Sequence, residues 1–463
     1  MTTVDISDVI LCLRQTIGLD PVDKNLADMN GDGEVDITDV ILILRKAIGL
    51  VGYTCKYKVI DQCNNPVSGA YVILHNDDGT VKDYKTTGND GIADFGNIGQ
   101  DRITLTVALV EYSDGTTTDS DLISFINVPY LKDKENIIRV WRETEKVGTI
   151  NVSTNPTGGE IILGEEGLVT WWGSFSSGSI DIYPENLQSD GTISLGGFNS
   201  TSYGFLLDQN FQDGGNYTVN LNKQLQEVSF TSNIPIEQIS ATAYRKNMSY
   251  LIGYDWWDTK KTSGSFSVAK DIPDAVYWIS AWSYGYDSST NTDTWIEIGK
   301  KYSSLPNSLS INMPDLSVNN INYNGQNVSW TIGGSTEKDF TTIELTFGDG
   351  NNWTDWEIVV NPSTNSWDIT KLKLPYEIEG WLFNHHLVYV DVGVSNYDTV
   401  HGFDNFVKTY LENPDFTQFN ERVLAARGLE INPSGGVGEV NPLTKGFNKN
   451  VFRPRQKHKK FPF

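Results

Sequence analysis

Two sixteen-residue stretches near the start of the chain carry the same apolar pattern. Val4 to Leu19 reads VDISDVILCLRQTIGL and Val35 to Leu50 reads VDITDVILILRKAIGL, identical at twelve of sixteen positions at an offset of 31 residues. Apolar residues recur every three or four positions, and each stretch stops at a glycine, Gly18 or Gly49. This predicts two amphipathic helices with glycine C-termini. From about Tyr53 the period falls to two. TCKYKVIDQCNNPVSGAYVIL predicts a strand, a turn at Asn64–Asn65–Pro66 and a second strand from Ala70 to Leu74, and Asn89–Asp90–Gly91 predicts a further turn before a strand. Strand patterns continue through VSFTSN, ISATAYR, SGSFSVA, YWISAWSYGY and TWIEIG, then NVSWTI, TTIELTFG, DWEIVV and HLVYVDVGVS. Phe403 to Gly428 returns to a helical period, with Phe406, Tyr410, Phe419, Val423 and Leu424 as its apolar positions.

The expected fold is mainly β: tandem β-sandwich domains preceded by a small α-helical module. Its divisions fall at 1–50 for the helical module, 53–145, 146–224, 225–317 and 318–400 for four sandwiches, and 401–463 for a helix and a disordered basic tail. Composition agrees with many turns and strands, for the chain holds 42 Gly, 13 Trp, 21 Tyr and 19 Phe. A net charge of −24 argues against nucleic acid, whose phosphates need clustered cations. No apolar run reaches membrane-spanning length, so no transmembrane segment is expected. The expected location is extracellular or at the cell surface, with an export signal upstream of Met1. Of the three cysteines, Cys12 takes the slot of Ile43 in the repeat and reads as a buried hydrophobe, while a Cys55–Cys63 bridge stays open.

The loop before the second helix carries the clearest chemistry. Asp28 to Asp39 reads DMNGDGEVDITD, with oxygen donors at positions 1, 3, 5, 9 and 12: Asp28, Asn30, Asp32, Asp36 and Asp39. Gly33 stands at the sharp turn and the Glu34 carbonyl at position 7. Such spacing suits a hard cation that wants six to eight oxygens, so Ca2+ is the expected cofactor. Two loop–helix units, each followed by Ile-Gly-Leu, resemble a dockerin, the calcium module that docks onto cohesin domains. The resemblance covers residues 1–50 and implies these donors as ligands, with Asp39 replacing the bidentate Glu of ordinary EF-hands. The first copy keeps Asp5 and Asp8 but lacks the first half of its ligand set. The resemblance assigns partner reading to loop positions ten and eleven, here Ile6–Ser7 and Ile37–Thr38. An isoleucine there departs from the hydroxyl-rich pattern of cellulosome dockerins. The implied partner is a cohesin-like domain or an adjacent domain of the same chain.

The β region carries weaker resemblances. Asp61, Pro66, Gly69, Ala70, Val72, Gly91 and Phe95 make residues 53–145 similar to a carboxypeptidase-regulatory-like sandwich, usually a non-catalytic spacer. GTINVSTNPTGGEIILG resembles the opening of a PEGA-type domain, and 318–400, with Trp330 and Tyr389, is similar in rhythm to fibronectin type III.

No catalytic residue is assigned. The five histidines lack metal spacing, and no nucleophile elbow, Walker loop or dinucleotide fingerprint occurs. Glycoside hydrolysis is the only enzyme class weighed, with Glu165, Glu166, Glu185, Asp255, Asp258 and Glu297 as candidate carboxylates. The tryptophan doublets Trp171–Trp172 and Trp256–Trp257 carry the alternative to calcium-dependent docking: a carbohydrate-binding component of a polysaccharide-degrading system. In each doublet, one ring should face inward and the other outward.

Overall fold

The computed structural model describes residues 4–29, 34–48, 53–113, 118–142, 144–166, 174–175, 177–348, 352–383, 386–414 and 419–431. The repeated sequence forms helices α1 (Ile6–Thr16) and α3 (Ile37–Ala47), with the single turn α2 (Lys24–Ala27) between them. Val9 and Cys12 of α1 meet their counterparts Val40 and Ile43 of α3, with Ala27 closing a small core. Cys12 therefore fills the predicted hydrophobic slot, and no disulfide joins the three cysteines. No helix among the described residues is long and apolar enough to cross a membrane.

The β region departs from a train of separate sandwiches. One fourteen-stranded sheet draws strands from all five of the expected divisions beyond the helical module. It starts with the strands Val81–Thr86, Tyr71–His75, Arg102–Ser113 and Thr118–Pro129. It then passes by a parallel pairing, Leu122 opposite Trp356, to Asn352–Val360. Phe340–Gly348 and His386–Tyr397 follow, then Glu421–Glu430. That strand pairs on its far side with Thr292–Tyr302, and Val276–Asp287, Gln226–Arg245 and Met248–Val268 complete the run, with Glu165–Glu166 at its end and Ser308–Ile311 beside the start of 226–245. Alternation in a sequence shows that a segment is a strand and which side chains share a face, but not which strand it will pair with. Continuing the sheet also removes exposed edges that separate sandwiches would have to protect.

The segment expected as helix splits in two. Its first part is helix α5 (Phe403–Glu412), after α4 (Tyr376–Phe383), but Val423 and Leu424 belong to the 421–430 strand. There Val423 and Ala425 join the core on one face, while Leu424 and Ala426 are equally buried on the other. A strand buried on both faces reads as a continuous apolar run, which hides its period of two.

Both faces of the long sheet are used. A small sheet of Ser317–Tyr323, Asn327–Gly333 and Ser366–Asp368 brings Trp330 and Trp367 into one core with Leu345, Trp356 and Val392. On the opposite face, the sheet of Tyr53–Ile60, Ile92–Ile98 and Glu135–Arg139 joins α5 in burying Tyr57, Phe125, Tyr397 and Phe406, and the Phe340 and Phe406 rings stack at 4.1 Å. The predicted turn before 92–98 holds because Gly91 has φ 74° and a Cβ there would lie 2.6 Å from the Val59 carbonyl. Residues 148–224 keep two small sheets and a core of their own, with Ile150, Ile161, Leu195 and Val219. They are tied to the long sheet by a two-pronged Arg245–Asp208 pair, both contacts 2.6 Å, which holds Asp208 well below the usual carboxylate range.

One buried ion pair sits at the seam. Arg422 Nη2 lies 2.6 Å from Glu297 Oε1, joining the 421–430 strand to 292–302, and both side chains are largely enclosed. Ser280 Oγ donates to the same oxygen and in turn accepts from Trp278 Nε1. Removing one member of such a pair leaves an uncompensated charge. Arg422→Met is expected to cost about 3–5 kcal/mol in denaturant unfolding, and adding Glu297→Met should restore most of that loss.

Candidate functional site

Both helices begin with the same device. Asp5 accepts from the Ser7 backbone N–H at 2.6 Å, and Asp36 accepts from Thr38 at 2.7 Å. In return Asp8 and Asp39 accept from the backbone N–H of Asp5 and Asp36, at 2.8 and 3.0 Å. Each helix start is thus a capping box, with Asp at the position where Glu or Gln is usual. The Asp-x-x-Asp spacing before an apolar run is the sequence signal for this arrangement, one that reading the aspartates only as oxygen donors overlooks.

The two boxes differ in what surrounds them. Asp8 is exposed, whereas Asp39 is 0% exposed and its second oxygen accepts from the Met29 N–H at 2.7 Å. The segment ahead of α3 folds back over its own cap, and among the described residues the first copy has no equivalent cover. Two of the expected calcium ligands, Asn30 and Asp32, lie outside the described residues, as do Trp171 and Trp172. Among the described residues, no group of three or more His, Cys, Asp or Glu side chains is arranged to hold a metal. Asp28 and Glu34 precede α3, Asp36 is its N-cap and Asp39 lies in its first turn. Both oxygens of the enclosed Asp39 carboxylate accept from backbone N–H groups, which satisfies it within the cap.

The outer surface of the pair is apolar. Ile6 and its counterpart Ile37 are 57% and 56% exposed, and Ile10 and Ile41 are 54% and 48% exposed. Ile17 and Ile48 match in the same way, and Leu11, Leu13 and Leu19 extend the surface. Positions 6, 10, 13 and 17 form one stripe of α1, and 37, 41 and 48 form the equivalent stripe of α3. Ile37 and Thr38, the expected partner-reading residues, are both exposed at its edge.

The second tryptophan doublet divides between faces. Trp257 lies 5.1 Å from the Phe230 ring, against the main core, with the Lys261 ammonium 4.6 Å over it. Trp256 turns the other way and meets Tyr284 at 5.9 Å. Burial, then Asp255, pushes the neighbouring Tyr254 hydroxyl up to about 12. Burial also raises Glu237, against the pull of Lys260 at 3.7 Å. Of the candidate carboxylates, Glu297 is taken up by Arg422, and Glu185 accepts from Thr144 at 2.6 Å. His75 is a structural histidine, set between Thr106 Oγ1 and the Gly79 carbonyl and lowered to about 4 by burial.

No family model matches the chain, and no curated protein sequence matches it. Among solved structures it is similar to the Bacillus anthracis TIE protein, at 13% identity over 56% of this chain and 50% of that one, with a TM-score of 0.16. The pilus adhesin SpaC from Lactobacillus rhamnosus GG aligns at 10% identity over 66% of this chain and 43% of that one, with a TM-score of 0.13. The chain thus spans about half the length of each. Overlap at these scores says nothing of function.

The different surroundings of the two caps have a measurable consequence. Asp36→Ala and Asp5→Ala should each cost about 0.5–2 kcal/mol through the lost cap. Asp39→Ala should cost more than Asp8→Ala, because it also leaves the Met29 and Asp36 N–H groups without their buried acceptor. Thermal unfolding of the four variants followed by far-ultraviolet circular dichroism tests the order.

Proposed function

We propose that this is a non-catalytic secreted or cell-surface modular protein whose paired-helix module binds calcium and docks a partner. The single observation that carries the reading is the matched exposure of equivalent isoleucines on α1 and α3. A small buried core holds the helices together, while a larger set of apolar side chains faces outward. Exposed apolar stripes of this kind mark interaction faces. The partner is a cohesin-like domain or another part of the same chain, and the β region serves as spacer and display scaffold. Calcium enters through the donor spacing of Asp28, Asn30, Asp32, Asp36 and Asp39. In this reading the ion binds only the folded loop, so it fixes the start of α3 and with it one of the two apolar stripes.

Calorimetric calcium titration of the full chain tests this reading. One equivalent should bind, and Asp32→Ala should abolish it. At a hundredfold excess over Kd, calcium should add about 2.7 kcal/mol to the module's stability, and a chelator should remove that gain. Heat of binding absent from the wild type would contradict the calcium part outright. Binding that survives Asp32→Ala would place the ion elsewhere.

A further inference from the structure

Away from the helices, one stretch of the long sheet carries aromatic side chains on the face turned from the main core. Along Val276–Asp287 the odd positions Tyr277, Ile279 and Ala281 enter that core, which leaves Trp282 and Tyr284 on the opposite face. Register aligns Trp282 with Gln238 on the next strand, and Gln238 with Trp256 on the strand beyond. Strands lie about 4.8 Å apart, so Gln238 is set in register between Trp256 and Trp282 on this face. Trp295 is paired with Tyr284, and Trp256 touches the Tyr284 ring. Trp282 is nearly buried and forms the floor, whereas Gln238, Trp256, Tyr284 and Trp295 are half-buried and Tyr254 at the rim is 41% exposed.

The two carboxylates beside Tyr284 are each paired with a cation. Glu297 and Glu237 are carboxylates whose fields reach Tyr284. Each has its own cation: Arg422 at 2.6 Å from Glu297, and Lys260 at 3.7 Å from Glu237. The Lys260 ammonium also bonds the Tyr284 carbonyl, which anchors it at the edge of the platform. An anionic ligand meets paired carboxylates here, and a cationic one meets ammonium and guanidinium groups already in place. The complementary ligand is uncharged, with apolar faces to lie on the rings and hydroxyls to meet the Gln238 amide.

We infer that the face formed by Trp256, Gln238, Trp282, Tyr284 and Trp295 is a binding site for a neutral glycan chain. The site is independent of calcium and of docking at the helices, so failure of either reading leaves the other standing.

The test uses the full chain in affinity electrophoresis through gels containing hydroxyethylcellulose, xylan, galactomannan or glycogen, with polygalacturonate as an anionic control. Retardation by at least one neutral polymer is expected, with none by polygalacturonate. Trp256→Ala and Tyr284→Ala should each weaken that binding about tenfold or more, and Gln238→Leu should weaken it with every ring kept. Thermal unfolding of each variant checks that the fold survives, and Gln238→Leu keeps the test decisive if a ring variant fails to fold. Absence of retardation in all four neutral gels would overturn the inference. Binding unchanged in folded Trp256→Ala and Gln238→Leu proteins would do the same, as would retardation by polygalacturonate alone.

Discussion

The strand Glu421–Glu430 is the element on which the long sheet depends. It lies between 292–302 and 386–397, antiparallel to both, and among the described strands the sheet passes from one to the other through it. Without it the sheet divides there into two groups of strands, each with a long unsatisfied edge. Its sequence suits this position: ERVLAARGLE places small or branched apolar residues on both faces, and Arg422 meets Glu297 inside the seam. That pair adds little net stability over an apolar pairing of similar shape. Its physical role is register, since a slip of one residue would turn Arg422 to the opposite face and leave Glu297 enclosed without a counter-charge.

A second joint, the parallel pairing of 118–129 with 352–360, extends the same sheet to the strands between residues 71 and 129. Segments more than two hundred residues apart thereby share one hydrogen-bonded layer, with separate cores on its two faces. Such a layer makes a stiff platform. The aromatic face itself borrows from the seam, because Glu297 belongs to both.

Much of the local structure is legible in the sequence. Both helices of the repeat, the turns at Asn64–Pro66 and Gly91, and most strand positions follow from period, glycine placement and turn residues. The burial of Cys12 follows from its alignment with Ile43. Strand partners are not legible, because alternation carries no information on distant pairing. The 421–430 strand escapes for a related reason: with both faces buried, VLAA looks as much like a helix as a strand. At the candidate site, the loop aspartates are legible as oxygen donors, and their capping role lies in the same spacing. The platform around Trp256 is visible in the sequence only as a doublet. Its partners Gln238, Tyr284 and Trp295 come from separate segments that register alone brings together.

The measurement that bears most directly on the fused-sheet account is native-state hydrogen exchange of the 421–430 strand. A central strand should exchange only through global unfolding, so amides of Val423 to Ala426 should show the same opening free energy as those of 292–302 and 386–397. Exchange of 421–430 that is orders of magnitude faster, with the flanking strands still protected, would contradict the account. The strand would then be a loosely docked tail, and the two halves of the sheet would stand without it.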